Sequence, residues 1–100
     1  LVTGVGTQLT LTPDKYELAQ NYPNPFNPTT KINFSLPKQG FVSLNIFDVT
    51  GREVAKLVNE VTEAGYHSVD FNASNFASGV YFYRIEAGEF TDTRRMMLIK

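Results

Sequence analysis

The sequence has 100 residues, nine basic against ten acidic, a formal charge of −1, 42% hydrophobic content, and neither cysteine nor tryptophan. It reads as one small folded domain, too apolar for intrinsic disorder and too close to neutral to attract nucleic acid or anionic lipid by charge. Disulfides, thiol chemistry and cysteine-ligated metals are excluded, no apolar run approaches the roughly 18 to 20 residues of a membrane helix, and so small an interior leaves little room for a catalytic cleft.

The sequence opens at Leu1 without an initiator Met or an export signal, which reads as a mature product or a piece of a longer protein. Residues 1–12 are uncharged and rich in Thr and β-branched side chains. Val5, Thr7, Leu9 and Leu11 share one face if this stretch is extended, as in a strand. Such a strand pairs either with its own sheet or, as a donor strand, with a neighbouring copy. Residues 1–15 are therefore read as an extended lead-in and residues 16–100 as the domain proper.

Three prolines then crowd into Asn21-Tyr22-Pro23-Asn24-Pro25-Phe26-Asn27-Pro28. Each removes a backbone donor and holds the preceding residue out of the helical region, so this is a boundary segment with few ladder bonds. Tyr22 and Phe26 are apolar enough to tack it onto the core. Period-two alternation follows, with Ile32, Phe34 and Leu36, then Val42, Leu44 and Ile46 after the turn at Pro37–Gly40. The Asp48–Gly51 turn leads to Val54–Val61, which fits either a strand or a short helix. Val69 and Phe71 mark the next strand, Tyr81, Tyr83 and Ile85 another, and Phe90–Ile99 runs extended. Six short runs separated by turns predict an all-β antiparallel sandwich. A seventh strand from residues 1–12 would complete an immunoglobulin-like count.

Candidate chemistry is sparse. His67 is the single histidine and has no ligand-spaced partner, so it reads as a strand-face residue. Glu60, Glu63, Glu86 and Glu89 flank turns as solvated charges. No cofactor, metal or catalytic residue is assigned, although Asp48, Asp70 and the Asn-rich loops hold the oxygens a divalent ion would use. Tyr81 and Tyr83 fit core packing in a domain without Trp, and would make a sugar-binding platform only if their rings were exposed. At the C-terminus, Arg94-Arg95, four apolar residues and Lys100 combine an aggregation-resistant edge with a compact signal for a partner.

From Tyr16 to Lys100 the sequence resembles the type A C-terminal sorting domains of the bacterial type IX secretion system. The resemblance is carried by Leu18–Thr30, Ile46–Val54, Ala64–His67, Ser78–Arg84 and the basic last strand. Ala77 stands where the family often has proline, and arginines stand for the usual lysine near the end. The resemblance implies an immunoglobulin-like sandwich recognised by the outer-membrane export machinery, with delivery through the periplasm to the cell surface or exterior. By position, its signal would rest on Gly79, Tyr81, Arg94, Arg95 and Lys100. Two other readings compete: a fibre subunit joining its own copies through residues 1–12, and a sugar-binding module.

Overall fold

The structure is a computed structural model that describes residues 12–100. Seven strands follow in order: β1 (Glu17–Leu18), β2 (Thr29–Leu36), β3 (Gly40–Phe47), β4 (Glu53–Thr62), β5 (Gly65–Asn72), β6 (Gly79–Ala87) and β7 (Phe90–Leu98). They form an antiparallel sandwich of a three-stranded sheet, β1-β2-β5, and a four-stranded sheet, β4-β3-β6-β7. The fourth strand thus lies beside the third, whereas in constant-type immunoglobulin domains it joins the sheet of the first, second and fifth.

The alternation read from the sequence is what closes the two sheets on each other. Ile32, Phe34 and Leu36 face inward from β2, Val42, Leu44 and Ile46 from β3, and Tyr83 and Ile85 from β6, all buried. Met96 and Leu98 complete the core from β7. Burying each large apolar side chain contributes roughly 1.5–3 kcal/mol, so most of the core comes from period-two patterning, with Leu18, Phe26 and Ala73 added from outside the alternating runs.

Two points go beyond the sequence reading. Among the described residues the strand that precedes the six expected ones is β1, only two residues long and pairing Glu17 with Ser35 and Leu18 with Phe34. The predicted donor residues Val5, Thr7, Leu9 and Leu11 lie outside the described residues. In the proline segment Phe26 is buried as expected, but Tyr22 is 80% exposed. Its bridge to Lys31, a solvent-facing residue of β2, turns the Tyr22 ring outward with it.

Val54–Val61 is strand, within β4. Its register against β3 slips twice, between Leu44 and Asn45 and between Ile46 and Phe47. Pairing passes from Val58 to Lys56 and from Ala55 to Glu53, leaving Leu57 and Val54 as the extra residues of two bulges. The turn before it, Asp48–Arg52, is built on the Asp48 carboxylate. Oδ1 accepts from the Thr50 hydroxyl at 2.6 Å and from the backbone N–H of Thr50 and of Arg52, and Gly51 supplies the positive φ of 88°.

Candidate recognition site on the last strand

The five predicted signal residues fall into two clusters on or beside β7. In the first, Gly79 opens β6 at φ 153°, a conformation that side-chain-bearing residues rarely adopt. Tyr81 then enters the core, and its hydroxyl donates to the Ala77 carbonyl at 2.7 Å. A tyrosine near the start of the sixth strand, bonded to backbone a few residues upstream, is the tyrosine corner of immunoglobulin-like sandwiches. The corner shapes the loop between β5 and β6, and that loop grips Lys100. The Lys100 ammonium donates to the carbonyls of Ser74 and Phe76 at 2.7 and 2.9 Å, and its backbone N–H to Ser78 Oγ at 3.0 Å.

The second cluster is Arg94 and Arg95. Neighbours on a strand point to opposite faces, and these two have different tasks. Arg94 is half-buried, and its Nε donates to the Leu18 carbonyl at 2.7 Å, joining β7 to β1 across the open side of the sandwich. Arg95 points out from the four-stranded sheet and is exposed.

Residues 20–26 lie along the free edge of β7 as a strap. Gln20 Nε2 donates to the Arg95 carbonyl at 2.8 Å, and Asn24 Oδ1 accepts from the Met97 N–H at 3.0 Å. Phe26 donates its N–H to the Met97 carbonyl and accepts from the Ile99 N–H, forming a parallel bridge to Leu98. Buried Asn21 anchors the strap by donating from Nδ2 to Thr30 Oγ1 and to the Pro23 carbonyl. Tyr83 ties it to the core, since its hydroxyl donates to the Ala19 carbonyl at 2.6 Å and accepts from the Asn21 N–H at 2.7 Å. Burial pushes the Tyr83 phenol up to about 12, against the opposing effect of the Asn21 hydrogen bond. None of Gln20, Asn21, Asn24 and Tyr83 stood among the predicted signal residues. The one available signal was their place in the motif blocks.

Of the nine basic side chains, all but Lys38 and Arg95 hold a carboxylate or a backbone carbonyl among the described residues. The Asp48 carboxyl is held below its usual value chiefly by the Thr50 hydroxyl, with the backbone N–H groups of the turn and Arg52 adding to the effect. Asp70 pairs with Lys31 at 2.6 Å. His67 stacks on Phe34, with Nε2 2.7 Å from the Glu63 carbonyl. Tyr81 and Tyr83 are 8% and 0% exposed. Their rings are core, so the sugar-platform reading fails where it was placed.

The model of the secretion system C-terminal sorting domain matches residues 20–100. Among solved structures, the chain is similar to PorZ, described as an essential bacterial surface component of the type IX secretion system of Porphyromonas gingivalis. The TM-score is 0.57 at 26% identity, over 98% of this chain and 13% of that one, so the chain spans about an eighth of PorZ. No curated protein matches. The strap, the tyrosine corner and the basic last strand all lie within the matched residues. The chain belongs to the secretion system C-terminal sorting domains, as a non-catalytic module that directs secretion through the type IX system by way of the periplasm to the surface or exterior.

Proposed function

We propose that the sorting address is the outward surface of β7 and that Arg95 is the group the export machinery touches. In this reading residues 16–100 carry the address and residues 1–15 are a lead-in. Gly79, Tyr81, Arg94 and Lys100 are positioning residues that hold β7 at fixed height and register. The observation that carries it is the guanidinium of Arg95, exposed on the last strand and without a carboxylate or carbonyl partner among the described residues. Arg94 spends its Nε on the Leu18 carbonyl and Lys100 two ammonium hydrogens on the Ser74 and Phe76 carbonyls, so each offers a partner less than Arg95 does.

The test is secretion of a reporter passenger carrying the full chain, with folding followed separately by circular dichroism and thermal melting. Arg95→Glu is expected to retain the passenger in the periplasm while the domain melts as the parent does. Arg95→Lys, which keeps the charge, is expected to restore export in part. A folded Arg95→Glu domain exported at the parent rate would refute the assignment.

A further inference from the structure

The outer face of the four-stranded sheet carries an apolar strip beside Arg95. Register places Arg95 opposite Phe82 and Phe82 opposite Phe47, so the three form one row across β7, β6 and β3. Met97 lies opposite Val80 in the next row, and Ile99 continues the outward face of β7. Met97 and Ile99 are 41% and 50% exposed. A shallow cleft of about 320 Å³ sinks between Phe47, Phe82, Arg84 and Thr93, with the Asp48–Gly51 turn as its wall.

The charges bordering this strip are unequal. The Arg84 guanidinium sits 4.9 Å from the Phe47 ring centroid and holds Glu86. Glu53 is taken by Lys56, and Asp48 by its own turn and Arg52. Each bordering carboxylate is therefore engaged, and Arg95 is not. Apolar anchors ringed by a polar rim are the layout of a protein interface. One uncommitted cation falls short of the basic clusters that hold proteins to anionic lipid or nucleic acid.

Building on the assignment of Arg95 above, we infer that this strip docks a protein partner that sets apolar side chains on Phe82, Met97 and Ile99 and a carboxylate against Arg95. The partner's apolar groups supply affinity and its carboxylate supplies register.

The test uses the full chain fused to a reporter passenger. Met97→Ser with Ile99→Ser is expected to lower secretion roughly tenfold, the cost of losing interface anchors worth about 1.4 kcal/mol, with little change in melting because both side chains are half exposed. Ile99→Thr alone, milder for the fold, is expected to lower it in the same direction. Tyr66→Ser, on the outer face of the other sheet, is expected to leave secretion unchanged. If Arg95→Glu blocks export while the folded serine double variant is secreted normally, the apolar strip is overturned and the role of Arg95 stands. If both are secreted normally, both fall. Binding of the purified chain to phosphatidylglycerol vesicles that is lost in Arg95→Glu would replace the protein partner with a lipid surface and overturn the inference.

Discussion

Tyr81 and Tyr83 stand two residues apart on β6 with both rings buried, and their hydroxyls fasten different parts of the chain. Tyr81 closes its own loop at Ala77, whereas Tyr83 reaches across more than sixty residues to Ala19 and Asn21. Because burial raises the Tyr83 phenol from 10 to about 12, folding favours its protonated form. Its stabilising contribution is full below pH 10 and disappears as pH rises from 10 through about 12. Tyr83→Phe is expected to cost roughly 1–3 kcal/mol at neutral pH, by leaving the Asn21 N–H without its acceptor. It is also expected to flatten the fall in stability between pH 10 and 12, as urea titrations across that range would reveal. An unchanged alkaline slope in the phenylalanine variant would remove Tyr83 as its source.

Among the elements, β2, β3, β5 and β6 were legible because each carries an alternation with one inward face, and β7 as an extended run after the Ala87–Glu89 turn. β4 was not, because its two bulges bring Val54-Ala55 and Leu57-Val58 into a spacing that also fits a helix turn. The strap was legible only as a boundary segment. Its bonds to β7 span as many as 75 residues, from the side chains of Gln20 and Asn24 and the backbone of Phe26, and no local period encodes such a pairing. The exposure of Tyr22 was hidden for a similar reason, since it follows from a bridge to Lys31. Of the candidate site, the basic strand and the Gly79–Tyr81 corner were readable from the motifs. The division of labour between Arg94 and Arg95 needed the fold, because alternation says that they face opposite ways but not which face meets β1. Asn24→Ala should therefore act on the strap alone. It removes the acceptor of the Met97 N–H, with an expected loss of about 1 kcal/mol. Amide exchange should quicken at Met97 and Ile99 and remain slow at Val42 and Ile46. Uniform acceleration across the sheet would show that strap and sandwich open as one unit.

For the molecule as a whole, the side bounded by β1 and β7 is closed by lacing. Arg94 is the charged member of that lacing, and its removal is expected to cost about 1.5–3 kcal/mol, the range for hydrogen bonds to charged groups. Arg94→Lys should recover little of it, because an ammonium cannot reproduce the guanidinium geometry, whereas Arg95→Lys should leave stability untouched. Urea midpoints of the three variants check this. Equal losses at both positions would contradict the separation of a clasp from a contact.

The strap has a consequence for the timing of synthesis. Its partners Arg95, Met97 and Ile99 are made last among the strands, some 75 residues after Gln20. Until they leave the ribosome, Gln20 and Asn24 lack their β7 partners, the outer edge of β6 is bare, and Arg94 cannot reach Leu18. Contacts this distant in sequence also make folding slow. The sandwich closes only on a chain translated through β7, so a product that ends before β7 is expected to lack the strap's partners and the clasp from Arg94 to Leu18.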